Sequence, residues 1–526
     1  MNSIRRHALL AAGLVTLEAM VAAQVPPAEP QWQNPNVLMI VLDDLGTEHL
    51  NAYQPSASNP PTPNISALAS QGVVFTRAYG HPMCSPTRAA LMTGRYSFRT
   101  GMGYIAEEGG GLFYTVPNTE VFMPEMLRDG FPATLGLYRR GAFGKWHLDG
   151  NDTQAGMHPI NNGFERFYGH MTNPGGHFDW DLVDSTAAGS TTTPIGGTGV
   201  FDDTTWNASV IATEAKDWMN AQSDPFFAYV CFSPPHAPYE IPPFRFLSQS
   251  TKNAILALNA AYSPGDRLGT DPAQPGYDSN WTLCFDWMIE AVDGAIGVLL
   301  NGLDEQKLAN TFVIVVGDNG TFSQLLACDL KANGINTTGH GKRSVYESGI
   351  RVPLIVSGPV PNPGTVCSGL VSAVDLWPTV AELTGATIAA PAPLLDGVSF
   401  APLIVSPSAP SARSHVFAQL YQHNGPYTPN PAAAQPLVFN ERSISDGEYK
   451  YISLWENGVM SWQEAYHLFD ATTGLPVDPN EHCDLLAGTS SVTFPSCLTV
   501  TCNGVTSQDI ARVRGLITQM KQLSGR

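Results

Sequence analysis

Two unbroken apolar runs, each closed by a cluster of oxygen-bearing side chains, restrict this chain to a narrow set of folds. Residues 36–42 (Asn-Val-Leu-Met-Ile-Val-Leu) lead into Asp43-Asp44-Leu45-Gly46, and 311–316 (Thr-Phe-Val-Ile-Val-Val) lead into Gly317-Asp318-Asn319-Gly320. A strand solvated on one face alternates apolar and polar residues, whereas a run without alternation belongs to a strand covered on both faces. Strand-like and helix-like segments alternate from residue 36 onward, so the expected class is α/β: a large, mainly parallel sheet sandwiched by helices. Ligands in such open sheets collect at the carboxyl ends of the strands, which makes Asp43, Asp44, Asp318 and Asn319 candidates for one shared site. Four oxygen donors without a histidine or thiolate suit a hard divalent cation, calcium first and magnesium second, rather than zinc. Each cluster taken alone also reads as an ordinary Asp/Asn/Gly turn after a strand.

With 526 residues, 43% hydrophobic and 14% charged, the chain can bury a large core and has room for a second, smaller domain. Its net charge of -19 argues against nucleic acid or an anionic membrane surface as a partner, because both reward basic patches. Residues 1–23 read as a signal peptide: Arg5 and Arg6 precede an apolar stretch over 8–23, broken by Glu18, and Gln24 follows Val21-Ala22-Ala23. Export, periplasmic or secreted, is the consequence, by the general or the twin-arginine route. No stretch is long and apolar enough for a stable membrane span. A Pro-rich linker over 24–35 would precede a main domain over 36–410. The Pro/Ser stretch 406–411 marks the boundary to a C-terminal α+β subdomain over 411–526, with an antiparallel sheet (strands near 415–420, 449–455 and 466–470) and a helix over 507–523. The stretches 185–199 and 425–436 read as surface insertions. Asn64, Asn151, Asn207, Asn280 and Asn336 head N-x-Ser/Thr sequences, which matter only in a source that glycosylates.

Cys84-Ser85-Pro86-Thr87-Arg88, continued by Ala89-Ala90-Leu91-Met92-Thr93-Gly94-Arg95-Tyr96, places a cysteine and an arginine at the start of a short helix. Ser85 is the expected N-cap, Pro86 the first helical residue and Gly94 the left-handed stop. Cys84 would then sit beside free backbone N–H groups at the positive end of the helix dipole, with Arg88 offering a fork to an anion. Such surroundings can lower a thiol pKa and make a nucleophile, although the loop lacks the glycines and spacing of cysteine phosphatases. A buried structural cysteine or a disulfide partner is the plainer alternative in an exported chain. The eight cysteines contain no C-x-x-C pair, and without Cys84 the remaining seven are Cys231, Cys284, Cys328, Cys367, Cys483, Cys497 and Cys502. That odd number leaves at least one thiol free; Cys497 with Cys502 is one candidate pair.

The residues around Cys84 point to a third possibility. The segment resembles the type I sulfatase motif, C-x-P-x-R followed by an alanine-leucine helix and T-G-R, with Thr87 where many members carry serine. The resemblance extends over roughly residues 36–485. It implies membership of the alkaline phosphatase superfamily, oxidation of Cys84 to formylglycine by a formylglycine-generating enzyme, and calcium held by Asp43, Asp44, Asp318, Asn319 and residue 84, with Arg88 steadying the modified side chain. Gly144-Lys145-Trp146-His147-Leu148 matches the family's G-K-W-H-L. On spacing alone this lysine and histidine would be a surface charge and a core hydrogen-bonder. The resemblance makes Lys145 a sulfate ligand and His147 the residue that helps eject sulfate from the formylglycine hydrate.

His236, in Ser233-Pro234-Pro235-His236-Ala237-Pro238-Tyr239 after the apolar run 226–232, matches a family histidine suited to protonating the leaving oxygen. Lys342, in Gly339-His340-Gly341-Lys342-Arg343-Ser344, matches the second sulfate-binding lysine. Glu347 and Arg351 fall in a structural strand entry, and His340 stays unassigned. Asp478-Pro479-Asn480-Glu481 resembles the family's C-terminal D-P-x-E turn, with Cys483-Asp484 where many members have Asn.

The implied reaction is hydrolysis of a sulfate ester, on an aryl group or a carbohydrate, with release of inorganic sulfate. Two alternatives stand: a phosphonate monoester or phosphodiester hydrolase sharing C-x-P-x-R, and a non-catalytic protein that holds sulfated glycans. The chain lacks a G-x-S-x-G elbow, a P-loop, H-E-x-x-H and a dinucleotide glycine pattern, which disfavours serine hydrolases and nucleotide-dependent enzymes. Tyr104, His177, Trp180 and Tyr239 are candidates for the substrate mouth, with ordinary packing as the alternative.

Overall fold

Strand β1, Asn36–Leu42, is buried along its whole length because it has a strand on each edge and a core on each face. Successive side chains point to opposite faces. Val37, Met39 and Val41 enter one apolar core, and Leu38, Ile40 and Leu42 enter the other. Fully burying side chains of this size contributes about 1.5–3 kcal/mol each, so either face would lose heavily if a polar residue replaced one of them. The computed structural model describes residues 32, 34–109, 112–131, 138–150, 152, 154–196, 199–270, 278–325, 340–387, 394–422, 424, 439–456, 459–468, 491–492, 500–501 and 507–524.

The remaining strands of the large sheet are β2 Gly72–Phe75, β3 Arg139–Lys145, β4 Arg166–His170, β5 Trp180–Thr186, β6 Gly189–Ile195, β7 Phe226–Phe232, β8 Thr311–Gly317, β9 Leu354–Ser357 and β10 Thr365–Cys367. They lie in the order β10-β2-β9-β8-β1-β7-β3-β4-β5-β6. The five central strands, β8 to β4 in that order, run parallel, with Val37 opposite Phe227 and Phe312. Antiparallel pairs flank them, β8 with β9 on one side and β4 with β5 on the other, so the sheet is mixed at its margins and parallel where it carries the site. Helices α1 Pro63–Ser70, α3 Asn207–Ala221 and α4 Trp281–Asn301 cover one face, through Ile65, Leu68, Ile211, Met219 and Ile296. Helices α2 Cys84–Thr93 and α5 Leu376–Thr384 cover the other, through Ala90, Leu91, Trp377 and Val380.

A second sheet is an antiparallel meander of β11 Val416–Gln422, β12 Phe439–Ser445, β13 Tyr449–Glu456 and β14 Val459–His467. Strand β12 is absent from the sequence expectation, and β14 begins well before the expected 466. Helix α6 Ser507–Ser524 lays Val513, Leu516 and Met520 into the first core, and its Asp509 accepts a 2.7 Å hydrogen bond from Tyr449. Arg413 ties this region to the turn that leads into α5 and to the loops beside it. Its guanidinium donates to both oxygens of Asp375 (2.6 Å from Nε to Oδ2), to the Tyr96 hydroxyl at 3.0 Å and to the Asp396 carbonyl at 2.9 Å.

Cys84, Cys231, Cys284 and Cys367 are buried free thiols. Cys328, Cys483, Cys497 and Cys502, the 478–481 turn, the 425–436 insertion and the 1–23 leader lie outside the described residues. Among the described residues no helix is long and apolar enough to cross a membrane. Of the N-x-Ser/Thr asparagines, Asn64, Asn207 and Asn280 use their side-chain amides in internal hydrogen bonds, while Asn151 and Asn336 lie outside the described residues.

Candidate active site

Four of the five parallel strands of the sheet centre deliver residues to one place. Asp43 and Asp44 follow β1, Asp318 and Asn319 follow β8, Lys145 is the last residue of β3 with His147 two positions on, and His236 lies four residues beyond β7. Asp44 and His147 adopt left-handed backbone conformations, at φ 61° and 60°. Such strain in a residue with a β-carbon persists where the surroundings over-determine it, commonly at functional sites.

Helix α2 brings in Cys84, by a start different from the expected one. The helix begins at Cys84 itself, with Met83 as an extended N-cap (φ -141°, ψ 158°) that offers no side-chain cap. Ser85 therefore does not cap. Its hydroxyl accepts the backbone N–H of Ala106 at 3.1 Å instead, pinning the incoming chain, and Pro86 is the third helical residue rather than the first. Gly94 does end the helix in the left-handed region, at φ 67°, with its N–H on the Ala90 carbonyl. Cys84 Sγ lies 3.2 Å from Asp43 Oδ1, 3.4 Å from Lys342 Nζ and 3.9 Å from Asp44 Oδ1. Burial, then the charges of Asp318 and Asp43, push the thiol well above its ordinary value against the pull of Lys145 and Lys342. Adjacent carboxylates and burial thus outweigh the lowering that a helix terminus and an arginine can cause, against the thiolate alternative. Cys84 as it stands is a poor thiolate nucleophile.

Three cations face three carboxylates around the sulfur. Arg88, fully buried, directs Nε and Nη2 at Asp318 Oδ2 (3.1 and 2.9 Å) and Nη1 at the Lys145 carbonyl (2.9 Å). Its fork therefore holds an internal carboxylate. Lys145 Nζ is 2.5 Å from Asp43 Oδ2, and Lys342 Nζ contacts Asp44 Oδ1 while resting 5.1 Å from the centre of the Phe322 ring. Burial disfavours the Asp43 carboxylate, but Lys145, His236, Arg88 and Lys342 together hold its pKa well below the usual range. Burial alone would neutralise the lysines, yet Asp43 and Asp44 keep both charged.

Asp44 Oδ2 and Asn319 Oδ1 are buried with no hydrogen-bond donor, and Asn319 Nδ2 donates to Asp44 Oδ1 at 2.9 Å. One ligand atom each from Asp43, Asp44, Cys84 and His236 falls within 4.8 Å of the others. Buried carboxylate and amide oxygens without hydrogen-bond donors are what a hard cation takes, so these residues fit a metal ion. The cluster admits His236 beside the expected oxygen ligands. Asp318 and Asn319 flank it: Asp318 Oδ1 accepts the Asp44 backbone N–H at 3.3 Å.

Two histidines sit on the flanks. His147 Nε2 is 2.8 Å from Glu107 Oε2, its Nδ1 is buried without a partner, and burial and Lys145 lower its pKa to about 4. His236 donates from Nδ1 to the Ala237 carbonyl at 2.6 Å and turns Nε2 toward Asp44 Oδ2, 3.7 Å away; burial lowers it to about 4 against the pull of Asp44. Sequence reasoning missed Glu107, 40 residues from its partner, and the His170–Ser233 pair (2.8 Å) between the ends of β4 and β7. For His170 a signal existed, since it ends a parallel strand as Lys145 does. For Glu107 there was none. His340 stacks on Tyr346 at 3.8 Å between ring centres. Of the mouth candidates, His177, Trp180 and Tyr239 are buried rather than open to solvent, and Tyr104 is half-buried.

Residues 35–386 match the sulfatase family profile, and residues 338–493 match a profile described as N-sulphoglucosamine sulphohydrolase, C-terminal. Human arylsulfatase D is 29% identical over 474 residues, spanning 75% of this chain and 73% of that protein. Human arylsulfatase A is 28% identical over 481 residues, spanning 90% and 87%. A protein solved in complex with its substrate D-glucosamine-2-N,6-O-disulfate shares the fold, with a TM-score of 0.64 at 17% identity over 94% of this chain and 98% of that one.

Proposed function

The chain belongs to the sulfatase family of sulfuric ester hydrolases, and we propose that it releases inorganic sulfate from an aryl or carbohydrate sulfate through formylglycine made at Cys84. The observation that carries this reading is the meeting of Cys84 Sγ with Asp43 at 3.2 Å and Lys342 at 3.4 Å, in a pocket whose buried cations and orphaned oxygens suit an anionic ester and a hard cation. Formylglycine at position 84 would supply an oxygen nucleophile, and calcium, which Asp43, Asp44, Asp318, Asn319 and residue 84 would hold, would supply positive charge against the sulfate oxygens.

The other roles fall to residues of the chain. Lys145 and Lys342 neutralise the transferring group, worth most in a site that excludes water. Arg88, spent on Asp318, keeps the ligand carboxylates in place and so steadies position 84 indirectly. His147, its Nε2 on Glu107, has Nδ1 free to take a proton from position 84, and His236 presents Nε2 on the side of the leaving oxygen. Maturation requires a formylglycine-generating enzyme as a transient partner, and the 1–23 leader would route the enzyme out of the cytoplasm. A 36–410 catalytic domain and a 411–526 subdomain complete the reading.

The test is protein co-expressed with a formylglycine-generating enzyme, supplied with calcium, and assayed on 4-nitrophenyl sulfate, 4-nitrophenyl phosphate and bis(4-nitrophenyl) phosphate. The expected result is preference for the sulfate, an aldehyde in place of the thiol in the Cys84 peptide, and loss of turnover in Cys84→Ala with the fold retained. Preference for the phosphodiester would reassign the site to phosphoryl esters, and full activity in Cys84→Ala would remove the mechanism.

A further inference from the structure

The loop that presents His236 is gripped from behind by a second histidine. His177 is fully buried, with ring Nε2 2.9 Å from the carbonyl oxygen of His236 and ring Nδ1 3.2 Å from the side-chain amide nitrogen of Asn207. An amide nitrogen only donates and a carbonyl only accepts, so the two partners dictate one neutral tautomer, with the proton on Nε2 and the lone pair on Nδ1. The backbone of His177 is held as well. Its N–H donates to Glu240 Oε2 at 2.6 Å, and its carbonyl accepts the Asn207 N–H at 2.8 Å. Arg267 clamps the other oxygen of Glu240 from Nε (3.0 Å) and Nη2 (2.6 Å). Residues 236 and 240, the two ends of one loop segment, are thereby both tied to residue 177. Within that segment His236 has spent Nδ1–H on its neighbour's carbonyl, which leaves Nε2 as the ring atom turned to the site.

We infer that His177 is a positioning residue for the leaving-group side of the reaction: its hydrogen bond to the His236 carbonyl sets the direction in which His236 Nε2 faces. The inference rests on the proposed sulfatase reaction and on His236 serving the departing oxygen. As the oxygen at position 84 bonds to sulfur and the S–O bond to the leaving group breaks, that bond's electron pair passes to the leaving oxygen; His236, which takes up a proton at Nε2 when the anionic ester is bound beside it, gives that proton to the oxygen and returns to the neutral imidazole that keeps Nδ1–H, leaving an alcohol or phenol. A phenol that is already acidic departs with little help, while a poorer leaving group depends on the delivered proton. A tilted His236 therefore penalises poor leaving groups selectively, which general loosening of the fold does not.

The experiment uses the full-length converted enzyme and compares kcat on 4-nitrophenyl sulfate with kcat on 4-methoxyphenyl sulfate, whose phenol is less acidic. His236→Ala is expected to widen the ratio between the two esters at least about tenfold. His177→Phe, which keeps a ring in the cavity without the donor, is expected to widen it in the same direction by about tenfold with KM within about twofold, and His177→Gln, which can restore a donor near the Nε2 position, to return it to within about threefold of wild type. Should His177→Phe fail to accumulate, Asn207→Ala, which releases the ring from its tautomer, is read the same way. A wide ratio in His236→Ala with an unchanged ratio in the His177 and Asn207 variants overturns the positioning role alone. An unchanged ratio in His236→Ala overturns the role given to His236, and this inference with it.

Discussion

Replacing Arg413 by Met isolates one buried charge pair whose cost can be worked out. In the native protein the Asp375 carboxylate receives two bonds from Arg413 and two from the backbone N–H groups of Ser372 and Val398, both at 2.8 Å. Met fills part of the guanidinium volume but donates nothing. Asp375 keeps half its donors, and the carbonyls of Asp396 and His415 lose a partner. Breaking a buried pair from one side costs about 3–5 kcal/mol, because an uncompensated charge stays behind. Unfolding entropy of about 2.1 cal/mol/K per residue gives roughly 1 kcal/mol/K for a chain of this length. The expected drop in Tm is therefore about 3–5 °C if the sheets unfold together. Differential scanning calorimetry at pH 7 measures it, with Arg413→Lys falling between the two because one ammonium cannot reproduce the fork. A Tm within about 1 °C of wild type for Arg413→Met would refute the reasoning and show the pair merely breaking even against its desolvation.

Glu107→Gln keeps the shape beside His147 but removes the carboxylate that accepts its Nε2–H, so kcat on 4-nitrophenyl sulfate is expected to fall at least about tenfold with little change in Tm; wild-type kcat would show that the pair is idle. His81 is buried and neutral, with burial lowering its pKa from 6.5 to about 4. Between those values the unfolded chain binds the proton that the native state refuses. His81 thus contributes stability in full above pH 6.5 and loses it as pH falls toward 4, by about 3 kcal/mol for this one group. His81→Asn, which offers an oxygen to the Gln419 N–H without a titrating ring, should flatten the acid limb of a Tm-against-pH curve; an unchanged slope would exclude His81 as its source.

Much of this protein is written locally. The run at 36–42 declares a strand buried on both faces, since its six consecutive apolar residues, 37–42, leave neither face for water and a turn cluster closes it at once, and the parallel sheet and the carboxyl-end site follow from it. The residues about Cys84, Lys145, His236 and Lys342 were legible as a group because short motifs keep their spacing whatever surrounds them. Strand β12 was not legible: its Asn440, Glu441, Arg442 and Ser443 are buried in the middle of a sheet, and hydrogen bonding such as Gln419 to Asn440 (2.8 Å) replaces the apolar alternation that marks a strand. The start of α2 at Cys84 was equally hidden, because the chain enters through buried Met83 and the Ser85 hydroxyl has a better use on Ala106. The sequence alone therefore determined the sheet, its site-bearing end and the motifs that meet there, Cys84 among them. Tertiary structure decided the ionisation of Cys84, the pairing of His147 with Glu107 and the hold of His177 on His236. Pairs separated by 40 or 59 positions leave no local pattern, and a pKa is set by the charges and burial that meet only once the chain is folded.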